Sequence, residues 1–312
     1  MNLRALIGLI DGDLVYDYFL NKGLINPPEE GSLCRNCGTG KMNKQKCDSF
    51  PGFEFRCRNH QCRQRIKISS TSWLLYNVKL PWSTILLIIY CWSMQYTTSQ
   101  AEHEIKCNKN TITSFFSKLR YATHLYCILH SKTIGGPGHI IEIDETCMVK
   151  RKYNRGRYTE SMHTWYFGGI DRTTRDFFIV QVPDRKKKTL VPIIRSMIIQ
   201  GTTIYSDSWS SYKKLCDEGY YHDAVNHSIG EFVNPDDHSI NTQLIESTWS
   251  GLKRFMKKKG EHKDGNIGNY MSEYYWRRKR KLEDPDMFQA ALQLLASLVP
   301  QSDEYEEFEE TQ

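Results

Sequence analysis

Three carboxylates stand where the sequence pattern could bring them together. Asp144 lies in HIIEIDETCMV (139–149), whose isoleucines and valine read as a buried strand. Period-two alternation puts Ile141 and Ile143 on one face of that strand and Glu142 and Asp144 on the other. Asp207 closes the short apolar strand of TTIYSDSWSSY, either as a strand-end acid or as the N-cap of the next helix. Glu246, in SINTQLIESTWSGLKRFMKKKG, stands beside the core stripe of Ile245, Trp249 and Leu252. It is either a site acid or a surface partner for Lys253 or Arg254. Carboxylates are rarely buried without a partner or a metal. Three converging ones would hold two Mg²⁺ or Mn²⁺ ions, which prefer hard oxygen ligands. One such ion activates a water or a 3′-hydroxyl, and the other stabilises the leaving oxygen of a phosphodiester. The acids of the first strand are not equivalent. Asp144 is at its C-terminal end, where sheet domains place reactive groups. Glu145 points to the opposite face and reads as structural. Glu142 shares the face of Asp144 one pleat deeper, and either supports a site residue from behind or is solvated.

A second constellation is made of cysteines. CRNC supplies Cys34 and Cys37, and CRNHQC supplies Cys57 and Cys62, with residues 38–56 between the pairs. Close thiol pairs on two tight turns match the knuckles of a structural Zn²⁺ ribbon. The second knuckle is wide, and His60 lies within it, so the fourth ligand is either Cys62 or His60; Cys47 is a weaker candidate. Cys91, Cys107, Cys127, Cys147 and Cys216 are scattered and read as buried apolar residues.

Several segments must position these groups. Apolar spacing in the first ~25 residues reads as short helices ending near Gly23. INPPEEGS breaks the chain, and the cysteine module comes next. From Pro81 to about 130 the pattern is helical: PWSTILLIIYCWSM, then a short helix, a polar turn at Lys106–Asn110 and a longer helix from Thr111. That spacing is either a helix-turn-helix or an ordinary helical subdomain. SKTIGGPGH is a Gly/Pro linker. Beyond it, strands in HIIEIDETCMV, HTWYFGGIDR and DFFIVQVP precede a helix at KTLVPIIRSMIIQ and a strand at TTIYSD, the order of an α/β domain with a mixed sheet. The expected organisation is N-terminal helices at 1–30, a zinc ribbon at 31–76, a helix-turn-helix-like domain at 77–132, a catalytic domain at 138–298 and an acidic tail at 299–312.

Bulk composition narrows the partners. Hydrophobic residues make up 39% and charged residues 25% of the 312 positions, a globular and not a disordered balance. Lys and Arg number 42 against 36 Asp and Glu, and the tail SDEYEEFEETQ hides a more basic body. A basic body suits a polyanion such as nucleic acid, or is simply a solvated surface. Phosphate contact is the functional reading of the clusters DRKKKT, KRFMKKKG and WRRKRK. Among their residues Lys253 and Arg254, which come after Glu246 on one helix, and Arg277 and Arg278 are the candidate DNA contacts. RRKRK also resembles a nuclear localisation signal. The N-terminus lacks the pattern of a signal peptide, and ILLIIYCW is too short to span a bilayer. Ten cysteines without such a signal point to a reducing compartment. Asn226, His227 and His238 precede the Glu246 helix and either line the site or are structural; Asn241 is either a cap or a site residue.

Together IDET, GGIDR, YSDSWSSY, VNHS and FVNPDDHSINTQLIESTWSGLKR resemble the transposases of Merlin-type DNA transposons and their bacterial insertion-sequence relatives. The resemblance covers nearly the whole chain, including the zinc module, and its specific part runs from Asp144 to Arg254. It implies a ribonuclease H-like fold and a DDE triad carried onto Asp144, Asp207 and Glu246, which are 63 and 39 positions apart. It also implies hydrolysis at a transposon end, attack of the freed 3′-hydroxyl on target DNA, and a homodimer on double-stranded DNA. Two other readings stay open: a transposon-derived DNA-binding protein without recombinase activity, and a ribonuclease H-like nuclease that cuts without joining.

Overall fold

The computed structural model describes residues 6–8, 14–147, 165–207, 210–212, 215–225, 239–259, 267–283 and 286–299. Asn226, His227, His238 and the acidic tail beyond Val299 lie outside the described residues. In chain order the elements are α1 (Val15–Asn21), β1 (Met42–Lys46), β2 (Phe53–Cys57), β3 (Arg65–Lys67), α2 (Trp82–Ser93), α3 (Thr98–Ile105) and α4 (Lys109–Leu129). Then come β4 (Ile134–Gly135), β5 (Ile140–Cys147), β6 (Trp165–Asp171), β7 (Phe177–Val182), α5 (Lys187–Met197), β8 (Ile198–Ile199), β9 (Thr203–Asp207) and β10 (Tyr221–Val225). Helices α6 (Gln243–Lys259), α7 (Ile267–Glu283) and α8 (Met287–Ala296) complete the order. The chain forms two compact units, residues 1–126 with 280–312, and residues 127–279.

The first unit carries the cysteine module on an antiparallel sheet in the order β1–β2–β3. Its knuckles close only because Gly40 lacks a side chain: a Cβ there would stand 2.3 Å from Cys57 Sγ. The expected short-helix, turn, long-helix pattern is present. A capping box between Thr97 and Gln100 starts α3, Lys106 ends it in the left-handed conformation, and Asn108 accepts from the Asn110 amide at 2.8 Å to start α4. Helix α8 also belongs to this unit, with Phe288 edge-on to Tyr90 of α2 at 5.5 Å. The sequence placed that helix in the catalytic domain; its apolar face, Phe288, Ala291, Leu292 and Leu295, is buried in the first unit instead.

The second unit is a mixed α/β domain around a five-stranded sheet in the order β10–β9–β5–β6–β7. β5, β6 and β7 form an antiparallel meander, while β9 runs parallel to β5 and β10 parallel to β9. This is the mixed sheet of an α/β domain that the order of strands and helix in the sequence implied. Parallel pairing needs a crossover, and α5 supplies it between β7 and β9. One face of the sheet packs Ile141, Ile143, Phe167 and Phe178 against Leu190 and Ile194 of α5. The other packs Tyr166, Ile170 and Phe177 against Ile245, Trp249 and Leu252 of α6 and Met271 of α7. Here too a glycine sets the spacing: a Cβ on Gly168 would lie 2.6 Å from the Trp249 ring. Among the described residues both faces of the sheet carry packed helices, which leaves the strand ends for chemistry.

Candidate active site

Asp144 stands near the C-terminal end of β5 and Asp207 closes β9. The two strands are parallel, with Ile140 beside Thr203 and Glu142 beside Tyr205, so the register carries Asp144 towards Asp207 two positions on. Glu145 joins them: one carboxylate oxygen from each of Asp144, Glu145 and Asp207 lies within 4.8 Å of the other two. Asp144 and Glu145 are half-buried. Burial first, then the charge of Glu145, with Asp207 and Glu246 adding repulsion, pushes the Asp144 carboxyl up to about 7. Burial and Asp207 push Glu145 up to about 6, although the Tyr212 hydroxyl donates to it. Acids that disfavour one another's charge in this way make a site completed by a cation, and an all-oxygen donor set suits a hard divalent one.

Glu246 sits apart from this tight group. It is exposed in the first turn of α6, accepts from Thr242 Oγ1 at 2.9 Å, and is near enough for its charge to raise Asp144. Alternation aimed Glu145 correctly, since Tyr212 belongs to the core on the Ile141 and Ile143 face. It missed that a carboxylate at a strand end still reaches the acids beside it.

Glu142 is neither solvated nor a direct neighbour of the cluster. Only 1% exposed, it accepts from Arg172 Nε at 2.6 Å and from the Leu244 and Ile245 amides at 2.8 and 3.0 Å. It thus binds two of the amide groups that a helix start leaves unpaired. Trp249, read from the sequence as core, also donates its indole N–H to Asp144 Oδ2 at 3.1 Å. Asn241 serves Arg172, accepting from Nη2 with its carbonyl at 2.9 Å and its side-chain oxygen at 2.8 Å.

The basic residues divide. Lys253 and Arg254 are exposed, as are Lys257 and Lys258. Lys253 and Lys257 stand seven and eleven positions beyond Glu246, on its side of α6. Arg277 is different: it is 5% exposed, and its Nε bonds the buried Glu273 at 2.8 Å, where Lys259 Nζ also reaches at 3.2 Å. A guanidinium committed inside the fold is not presented to DNA, which corrects the reading of Arg277. Arg278 is half-buried, over the Phe177 ring at 5.5 Å.

In the first unit Cys34, Cys37, Cys57 and Cys62 bring their sulfurs within 4.8 Å of one another. Cys34 faces Cys62 at 3.8 Å and Cys37 faces Cys57 at 3.7 Å. His60 is exposed and outside the group, so the fourth position belongs to Cys62. Cys47 is also outside it, with Ser49 Oγ at 3.1 Å. Amide donation from Gly40, the largest influence, pulls the Cys37 thiol down to about 5. This donor set suits a tetrahedral thiolate-bound ion. Of the remaining cysteines Cys91 is buried as expected, Cys107, Cys127 and Cys147 are half-buried, and Cys216 is exposed. No helix among the described residues is long and apolar enough to cross a membrane.

Comparison with known proteins bears on what these sites serve. Residues 136–279 match the ISXO2-like transposase domain. An uncharacterized transposase-like protein of Haemophilus influenzae is 30% identical over 100 residues, which span 32% of this chain and 78% of that protein. Among solved structures, the HTLV-2 integrase catalytic core domain in complex with magnesium covers 46% of this chain and 86% of its own, at 14% identity and a TM-score of 0.29. The intasome of simian T-cell lymphotropic virus in complex with the PP2A regulatory subunit B56 gamma covers 61% and 67%, at 13% identity and 0.30. The family match spans the whole stretch that carries Asp144, Asp207 and Glu246, and the relative is covered over most of its length; the chain belongs to the ISXO2-like transposase family.

Proposed function

We propose that this protein is a DNA transposase that cuts and joins DNA strands with a DDE triad of Asp144, Asp207 and Glu246. The observation that carries the reading is the meeting of Asp144 and Asp207 at the open end of the sheet, with Glu246 acting on the same charge balance. Two Mg²⁺ or Mn²⁺ ions, when bound, would activate the attacking oxygen and stabilise the leaving one. Asp144 and Asp207 would hold them from their strands, with Glu246 adding a ligand from α6. Trp249 orients the Asp144 carboxylate by donating its indole N–H to Oδ2. Glu145, beside both aspartates, adds negative charge and is a further ligand candidate.

Lys253 and Arg254, with Arg278 as a flanking contact, hold the DNA backbone. Phosphate contacts of this kind fix register without reading sequence. The first unit recognises the transposon ends through a Zn²⁺ ribbon on Cys34, Cys37, Cys57 and Cys62 and through α3 and α4 as a helix-turn-helix. The protein works as a homodimer on double-stranded DNA, in the nucleus if its source is eukaryotic. Within the second unit, residues 138–279 form the catalytic domain.

The test is incubation of the purified full chain with Mn²⁺ and a duplex taken from the DNA flanking its coding sequence. Cleavage and then joining is the expected result. Cleavage alone would indicate a nuclease, and binding without cleavage a DNA-binding protein that has lost recombination.

A further inference from the structure

The three acid-bearing elements are a strand, a second strand and a helix far apart in the chain, and something must fix their mutual distances. Arg172, in the turn after β6, touches all three. Its Nε donates to Glu142, two residues before Asp144 on β5. Its guanidinium carbon stands 4.9 Å from the Tyr205 ring centroid, two residues before Asp207 on β9. Its Nη1 donates to the Ser239 carbonyl at 2.7 Å and its Nη2 to Asn241, at the entry to α6. Glu142 completes the set by binding the Leu244 and Ile245 amides of α6 itself.

We infer that the Glu142–Arg172 pair is a positioning device, which holds β5, β9 and the start of α6 at the spacing their acids need to share metal. The inference rests on the proposed metal-dependent reaction of those acids. Glu142 is 1% and Arg172 22% exposed at the side chain, and the Nε, Nη1 and Nη2 atoms of Arg172 all donate within the fold, which makes positioning their role. The fork geometry of arginine is essential: one planar group donates in three directions and stacks on a ring, which lysine cannot do. Groups that orient metal ligands in this way typically contribute about 10- to 100-fold in metal affinity or activity.

The experiment uses the full chain and Mn²⁺ alone as the probe, reading the Mn²⁺ concentration that half-stabilises the protein against thermal unfolding. Cleavage of the flanking duplex is measured in parallel. Arg172→Lys keeps the charge and loses the fork. It is expected to need about tenfold more Mn²⁺, with metal-free melting and metal-free DNA binding close to the parent. Asn241→Ala removes one peripheral acceptor and is expected to shift the requirement in the same direction by less. If both folded variants bind Mn²⁺ like the parent, the inference is overturned. If Arg172→Lys does not fold, Asn241→Ala decides: a raised requirement supports the inference and an unchanged one overturns it. A parent that is stabilised by Mn²⁺ but never cuts DNA breaks the transposase reading alone, because the metal titration still tests the pair.

Discussion

The four thiols of the first unit and the three clustered carboxylates of the second could each hold a metal ion, yet the protein surrounds them differently. Around the sulfurs it places N–H donors: Gly40 to Cys37 at 3.3 Å, Asn59 to Cys57 at 3.4 Å and Asn36 to Cys62 at 3.3 Å. Around Asp144, Glu145 and Asp207 it gathers further negative charge, relieved in part by the Trp249 indole N–H, the Tyr212 hydroxyl, the Arg185 charge and a backbone amide. N–H donors to three of the four sulfurs, a closed set of four ligands and no open position suit an ion held for structure. Acids held this close at a sheet end with only partial relief suit a site that leaves room for an ion and a substrate together.

Breaking the two sites should therefore have unlike consequences. The largest effect is expected from Cys57→Ser or from a strong chelator acting on the ribbon. Structural zinc can contribute on the order of 10 kcal/mol to a small domain, so the ribbon should unfold, with zinc content by elemental analysis and amide spectra as the readout. A ribbon that keeps its fold without metal would remove the contrast.

Next in size is Arg277→Ala. It leaves Glu273 buried at 0% exposure with only part of its counter-charge, and breaking such a pair costs about 3–5 kcal/mol. Denaturant midpoints would show it, and a surface-type cost below about 1 kcal/mol would contradict the buried geometry.

A smaller, pH-dependent effect distinguishes the carboxylates. Asp144 has its pKa raised to about 7 in the fold, well above its unfolded value of about 3.9. The folded protein therefore holds this proton over a range where the unfolded chain has lost it, and its stabilising effect fades as pH rises towards 7. In chelator, Asp144→Asn is expected to melt near the parent at about pH 4 and above it at about pH 8, with Mg²⁺ closing the gap. A gap independent of pH and Mg²⁺ would mean that the fold does not raise the Asp144 carboxyl.

The smallest expected effect is that of Lys253→Ala, which should leave melting unchanged. DNA affinity should fall uniformly across sequences, with the slope of log affinity on log salt reduced by about 1. A loss confined to one DNA sequence would make Lys253 a base-reading residue and not a backbone contact.

Much of this contrast was legible in the sequence, for local reasons. Two thiol pairs at knuckle spacing declare themselves, and so does an acid at the end of an alternating strand. What stayed hidden depends on contacts made across the fold. Alternation put Glu142 on the face of Asp144, but its amide partners lie 102 and 103 residues further on, so nothing nearby in the chain distinguished burial from solvation. Arg172, in GGIDR, gave no sign that its donors span three elements. Trp249 fitted the apolar stripe of α6, and its indole N–H became informative only when Gly168 let the ring reach the strand. Arg277 is a different kind of miss. Its partner Glu273 is four positions back on the same helix, a pairing that helical spacing offered and that the run of basic residues concealed.

The most direct measurement of the central claim is strand cleavage of the flanking duplex in saturating Mn²⁺, comparing the parent with Asp207→Asn and verifying that the variant binds the same DNA. The expected result is cutting and joining by the parent, and a folded, DNA-bound variant that does neither. An Asp207→Asn protein that cut at the parent rate would contradict the account, because phosphodiester chemistry would then not depend on the acids that meet at the end of the sheet.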